Sequence, residues 1–384
     1  MDGPFTTENH KFGEIKIFQS VLPAKNEDRT VVFQFKHNTM IAIFDGHYSD
    51  ELSNFASEHL PTLVANNFDP NDPEVDIEQK ISKIFEDFDQ ALLSEVTGLF
   101  KDFKDKKWSE WSDSSEVHDV IGRGPKDSQF RAGRRAVVGT TVLIGIIDNN
   151  KKHIWVVSLG DSDAVCGRMK KGKLTPVMMS ERHNCTNTQE TLKLAGEHPG
   201  EKDLVIHNRV LGVLAVTRAL GDHQMKVQER ALATKILAYF YPGPVPSACW
   251  AEWDAVGNVT PPYLSACPVV RRHDLLKGDI LVFASDGLRD SMNRISTAEG
   301  IWDSIPAADQ WDVIMSLANG EEHQRLGHDC ITPEHTKDGD NSASLLIKNV
   351  LWGQDAEKKA RKLADPYRDD ISVVIVDLGW NSAA

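Results

Sequence analysis

The chain has 384 residues, 40% hydrophobic and 26% charged, which fits one large domain or two ordinary ones around a substantial core and excludes wholesale disorder. Its 57 Asp and Glu outnumber 43 Lys and Arg, and the resulting net charge of −14 repels phosphodiester backbones, which argues against a general nucleic-acid binder. No apolar run approaches the ~18 residues of a membrane span. The five cysteines are odd in number, far apart and without a C-x-x-C pair, which suits reduced intracellular thiols better than a disulfide frame or a structural zinc site. The N-terminus carries Asp2, Glu8 and Glu14, no Arg and no apolar stretch of signal length. It resembles neither a secretory signal nor a transit peptide, so the expected compartment is the cytosol.

In chain order, apolar runs with β-branched residues predict strands over Phe12–Phe18, Thr30–Phe35 and Thr39–Phe44. A helix is predicted over Asp50–Asn66. A longer one follows over Asp76–Phe100, where Ile77, Ile81, Ile84, Phe85, Phe88, Leu92, Val96 and Leu99 recur at three- and four-residue spacing. Asp76 with Gln79 reads as a capping pair at its start. Residues 102–135, rich in charge, Ser and Gly, are expected to form a mobile insertion. Strands over Thr140–Ile147 and His153–Leu159 then flank Asp148-Asn149-Asn150-Lys151, a hairpin turn by composition. Beyond a helix at Thr188–Ala195, the proline-rich residues 231–262 are expected to be an irregular excursion. A strand at Ile280–Ala284, helices at Ala307–Leu317, Ser342–Leu351 and Asp355–Leu363, and a strand at Ile371–Leu378 complete the pattern. With no internal repeat and no composition break between strands, residues 1–384 read as a single domain.

Three strand candidates run directly into an aspartate, as Asp45-Gly46-His47, Gly160-Asp161-Ser162 and Ser285-Asp286-Gly287, and a fourth follows Arg368-Asp369-Asp370. One Asp-Gly after a strand is ordinarily a turn. Four strand-end acids, with Glu27-Asp28 upstream, are not accounted for by turns alone. Gathered at one sheet edge they would repel one another unless cations offset them, and all-oxygen ligation selects Mg²⁺ or Mn²⁺ over zinc. Other signatures fail. No cysteine has an Arg six positions on, and Gly167–Leu174 approaches a P-loop but carries Leu174 where a hydroxyl should hold Mg²⁺. That segment reads instead as a basic hairpin tip. H-E-x-x-H, G-x-S-x-G and a complete calcium loop are missing.

The set Asn26-Glu27-Asp28-Arg29, Phe44-Asp45-Gly46-His47, Gly139-Thr140-Thr141, Gly160-Asp161-Ser162, Thr217-Arg218-Ala219-Leu220-Gly221-Asp222, Ser285-Asp286-Gly287-Leu288 and Arg368-Asp369-Asp370-Ile371-Ser372 resembles the metal-dependent Ser/Thr protein phosphatases of the type 2C class, in that family's order and over nearly the whole chain. Arg182-His183-Asn184, Glu197-His198-Pro199, Thr260-Pro261-Pro262-Tyr263-Leu264 and Asn341-Ser342-Ala343 are similar to the pyruvate dehydrogenase phosphatase branch. The resemblance implies an α+β fold, a four-layer α/β-β/α sandwich of two stacked antiparallel β-sheets flanked by helices. It implies two Mg²⁺ or Mn²⁺ ions with a weaker third. Asp45 would bridge both, Glu27 and the Gly46 carbonyl would complete one site, and Asp286 and Asp369 the other. Asp161 would serve the third, helped by Asp290, and Asp28 would orient the attacking water. The branch resemblance also opens the mitochondrial matrix as a location.

His47, beside Asp45-Gly46, is the side chain placed to protonate the leaving Ser or Thr oxygen. Thr141, Arg218 and Asp222 are expected to buttress the cleft, and Tyr263 with its prolines to pack. Many relatives carry an Arg a few residues before the Glu-Asp pair to hold the phosphate, but Val21 to Ala24 offers none, which leaves Lys25, Asn26 or Arg29. For Arg29 a surface ion pair is an equal reading. Tyr48 after His47, and Arg289 where Trp is common, are further departures. The expected partner is a phosphoprotein. Two alternatives stay open, a catalytically inactive phosphatase-like binding module and a phosphatase of small phosphomonoesters. The presence of Glu27, Asp45, Asp286 and Asp369 together favours the active protein phosphatase.

Overall fold

Strands β1 (Thr6–Phe12), β2 (Ile15–Leu22), β3 (Arg29–Phe35), β4 (Asn38–Phe44), β5 (Val142–Ile147), β6 (His153–Leu159), β7 (Asp163–Lys170), β8 (Lys173–Met178), β9 (Val269–Asp274), β10 (Ile280–Ala284) and β11 (Ile371–Asp377) build two sheets. One runs β1-β2-β11-β10-β7-β8 and the other β9-β6-β5-β4-β3, antiparallel at each pairing. This computed structural model describes residues 5–111, 114–122, 124–241, 260–293, 295–296, 302–303, 305–323, 326, 328–332 and 336–378.

Ile17, Ile41, Leu143, Val156, Phe283 and Val374, drawn from both sheets, share one buried cluster, so the sheets stack face to face. On one outer face, helices α1 (Glu51–Asn67), α2 (Glu74–Gly98) and α4 (Ser128–Val137) bring Leu60, Phe85, Leu92 and Ala136 onto Met40, Ile144 and Trp155. On the other, α5 (Ala307–Ala318) and α6 (Ser342–Leu351) set Ile314, Leu346 and Ile347 against Val165, Val282 and Val373. Each fully buried side chain of this size contributes about 1.5–3 kcal/mol, and the order helix, sheet, sheet, helix is the expected four-layer sandwich. Among the described residues no helix is long and apolar enough to cross a membrane.

Several expectations change in detail. The predicted strand Phe12–Phe18 is interrupted: Phe12 ends β1, Ile15–Phe18 open β2, and Gly13 at φ 61° turns the chain between them. Helix α2 starts at Glu74 behind Pro73, whose carbonyl accepts from Asp76 N at 2.9 Å, so Asp76 is an interior residue and no Asp76–Gln79 cap forms. Residues 102–135, expected to be a mobile insertion, carry α3 (Ser114–Ile121) and most of α4, and bury Val117, Ile121 and Phe130 in the main cluster. Of the 231–262 excursion, residues 231–241 form irregular helical turns that bury Leu232, Ile236 and Phe240. Residues 242–259, with Pro242, Pro244 and Pro246, lie outside the described set. Gly167–Leu174 falls in the β7–β8 hairpin.

Asn341 ties the helical layer to the sheet. Its Oδ1 accepts from Ser344 N at 2.9 Å to cap α6, while Nδ2 donates to Gln19 O at 2.9 Å and Glu8 O at 3.1 Å. Asn341→Ala should destabilise the protein by about 2–4 kcal/mol, combining a lost cap with a buried carbonyl left unpaired. Urea unfolding measures it, and a loss below about 1 kcal/mol would contradict this account of the junction.

Candidate active site

Strand register alone gathers the acids. Arg29 pairs with Phe44, so Asp28 and Asp45 leave β3 and β4 side by side. Leu22 pairs with Ile371, and Ala284 with Val373, which sets residues 23–28, Asp286 and Asp369-Asp370 along the same end of the other sheet. Val142 pairs with Leu159, so Asp161 follows at that end too. The acids feel one another. Burial, then the charges of Asp28, Asp286, Asp369 and Asp161, push the Asp45 carboxyl well above the usual carboxylate range. Asp286 is raised in the same way by burial, Asp161 and Asp290. Asp28 is pushed up to about 7 by burial and by the Asp370 charge, against smaller opposing contacts from Ser372 and Ser285.

These groups fit a hard divalent cation. The donor set is all oxygen, and Asp28 Oδ2 is buried without a hydrogen-bond partner. Among the described residues no three His, Cys, Asp or Glu side chains form a closed metal cage as they stand. The fit therefore rests on mutual electrostatics and the orphaned oxygen, not on preset ligand distances.

His47 and Gly46 lie on a short ribbon in which His47 pairs with Gly139, and Gly139 with Gly221. This places Asp222, at φ 50°, under the imidazole, with His47 Nε2 2.8 Å from Asp222 Oδ2. Gly139 is obligatory there, because a Cβ would fall 2.0 Å from His47 Nε2 and 2.2 Å from Asp222 Oδ2. Burial opposes the charged imidazole, but the charge and hydrogen bond of Asp222, aided by Glu27 and Asp161, raise its pKa overall.

The remaining expected residues divide. Thr141 N donates to Asp45 O at 2.8 Å and so supports the cleft. Arg218 binds Glu190 at 2.6 and 3.0 Å and Cys267 O at 3.1 Å, which makes it a brace outside the acid cluster. Asp290 pairs with Arg289 at 3.5 Å and interacts with Asp161 and Asp369. Arg29 donates to Asn54 Oδ1, to Asp28 O at 2.6 Å, to Asn26 O at 2.9 Å and to Asp50 at 2.9 Å, so its guanidinium fastens the loop. Lys25 Nζ lies 3.1 Å from Asp369 Oδ1. Asn26, at φ 64°, contributes a turn and a backbone amide. Tyr48 packs between His47 and Tyr241, with ring centroids 5.3 and 4.9 Å away. Tyr263 is buried, 4.6 Å from the His198 ring.

Three supports escaped the sequence reading. Asp370, 2% exposed, accepts from five consecutive amides, those of Ala24, Lys25 and Asn26 on Oδ1 and of Glu27 and Asp28 on Oδ2. Burial opposes its charge, yet those amides hold its carboxyl below the usual range. Arg368 holds the preceding carbonyls, Leu22 O at 3.2 Å and Pro23 O at 2.7 Å. Asn184 Nδ2 donates to Asp161 Oδ2 at 3.1 Å, while Gly160 N donates to His183 Nδ1 at 3.3 Å. The signal for the last pair was the segment Arg182-His183-Asn184, noticed only as a likeness. Arg289 is explained by Asp163, whose buried carboxylate takes Arg289 and Arg182 at 2.7 Å each and Trp311 at 3.2 Å.

Asp370→Asn keeps the shape but turns an N–H toward the amides. In the metal-free protein it should speed hydrogen exchange at residues 24–28 and weaken Mn²⁺ binding about 10–100-fold, with the fold retained. Unchanged exchange at those amides would contradict this role.

The family model for protein phosphatase 2C matches residues 115–305. The human mitochondrial [pyruvate dehydrogenase [acetyl-transferring]]-phosphatase 1 is 25% identical over 88% of this chain and 72% of its own. A protein phosphatase 2C homolog of Schizosaccharomyces pombe is 25% identical over 87% and 72%. The crystal structure of a phosphatase from a pathogenic strain of Toxoplasma gondii shares the fold, with TM-score 0.53, 15% identity and coverage of 97% of this chain and 94% of the other. The chain belongs to the protein phosphatase 2C family of metal-dependent serine/threonine phosphatases.

Proposed function

We propose that the protein hydrolyses phosphoserine and phosphothreonine on proteins, with two Mg²⁺ or Mn²⁺ ions held by Glu27, Asp45, the Gly46 carbonyl, Asp286 and Asp369, and a weaker third at Asp161 and Asp290. The observation that carries the reading is the convergence of these acids at one end of the sandwich around the orphaned Asp28 Oδ2. Bound there, divalent ions supply charge that polarises a phosphoryl oxygen and acidifies a water. Asp28, with a raised pKa and one free oxygen, orients the attacking water and takes its proton. Asp222 fixes the His47 ring through Nε2, so the proton for the departing Ser or Thr oxygen comes from Nδ1. Lys25, half exposed at the cluster, contacts the substrate phosphate in place of the arginine that the loop lacks, since Arg29 is committed to the loop itself.

Relatives named as pyruvate dehydrogenase phosphatases make phosphorylated pyruvate dehydrogenase the first target to test. Their mitochondrial location makes the matrix the first compartment in which to look for a tagged protein.

With a phosphothreonine peptide, turnover should require Mn²⁺ or Mg²⁺, stop in EDTA, and disappear in Asp45→Ala and Asp286→Ala; equal turnover in EDTA would remove the reading. His47→Ala should lose about 10²–10⁴-fold on that peptide and far less on p-nitrophenyl phosphate, whose leaving group departs unprotonated. The acid form of His47 is present below its raised pKa and lost as pH rises through it, so kcat should fall on the alkaline side. Asp222→Asn removes the upward push and should move that fall to lower pH. An unmoved limb would separate Asp222 from the acid.

A further inference from the structure

Lys25 has two tasks that one ammonium cannot perform together. Its backbone is fixed, because Lys25 N donates to Asp370 Oδ1 at 2.8 Å. Its side chain is half exposed and ends on Asp369, which is itself an expected metal ligand. The ammonium, 3.1 Å from Asp369 Oδ1, therefore sits at the edge of the acids that would receive the ions. A divalent cation on Asp369 and an ammonium about 3 Å from the same carboxylate repel each other strongly at that separation. The existing pair is solvent-exposed on both sides and therefore weak. Released, the ammonium pivots on a pinned backbone beside the cleft, where a phosphoryl group carries the charge it needs.

We propose that Lys25 is an exchangeable counter-cation: it neutralises Asp369 in the metal-free protein, is displaced when a divalent ion takes that carboxylate, and only then binds the substrate phosphoryl group. The proposal rests on the phosphatase reading above. It makes the two events interdependent, because metal on Asp369 frees more of the lysine for substrate, and the lysine competes with the metal it gives way to. Removing the charge should therefore have opposite effects on metal and on substrate, a pattern that loss of a merely structural side chain would not give.

Lys25→Met keeps the stem and deletes the charge. By calorimetry on the metal-free protein, it should bind Mn²⁺ about 2–5-fold more tightly than the natural chain. At saturating Mn²⁺ it should raise KM for a phosphothreonine peptide about tenfold, with the loss falling on KM rather than on kcat. Lys25→Arg should restore most of KM. Weaker or unchanged Mn²⁺ binding in Lys25→Met, or an unchanged KM, overturns the exchange. Failure of the natural chain to bind Mn²⁺ or to hydrolyse the peptide would instead sink the phosphatase reading, which keeps the two failures distinct.

Discussion

Repulsion among strand-end carboxylates is the constraint around which this molecule is arranged. Antiparallel register brings Asp28, Asp45, Asp161, Asp286 and Asp369 to one end of two stacked sheets, and burial with the neighbouring charges raises the cost of ionising Asp28, Asp45 and Asp286. A chain gains no stability from such a grouping. The sandwich core, with Phe283, Val374 and Ile43 between the sheets, supplies the rigidity that keeps the acids together. Their proximity is useful only to a ligand of opposite charge.

A second set of acids does different work and is fully partnered. Asp370 folds residues 24–28 around one carboxylate, Asp163 gathers two arginines and a tryptophan, and Asp89 takes Lys226 and the amide of Gly221, next to Asp222. Adjacent residues thus have opposite roles. In Asp369-Asp370, just ahead of β11, one side chain meets Lys25 beside the cluster and the other takes the amides of the loop that carries Glu27 and Asp28. The scaffold acids are satisfied by protein donors, whereas the cluster keeps an oxygen in reserve.

Much of this was legible in the sequence, for identifiable reasons. Long β-branched runs such as Thr39–Phe44 and the 3.6-residue rhythm of α2 declare themselves, and the acids stand beside strand ends that periodicity can find. The β9 sequence Val-Val-Arg-Arg-His-Asp was missed because an edge strand can expose charge. Helix α4 was missed because Arg131, Arg134, Arg135 and Gly133 disguise its buried face. In the site, the acid cluster was readable but its supports were not. Asp370 looks like a duplicate of Asp369 until the five amides are seen, and Arg29 looks like a phosphate ligand until Asp50 and Asn54 occupy it. Hydrogen-bond partners 21 to 346 residues away leave no local signature.

The central claim is that buried, mutually repelling carboxylates at this sheet end are held for divalent cations. Calorimetric titration of the metal-free protein with Mn²⁺ near neutral pH, repeated in buffers of different ionisation enthalpy, tests it most directly. Acids whose pKa values are raised must give up protons when ions bind. The account predicts two or more Mn²⁺ per chain with net proton release. Saturable binding without proton release, or no binding at all, would contradict it.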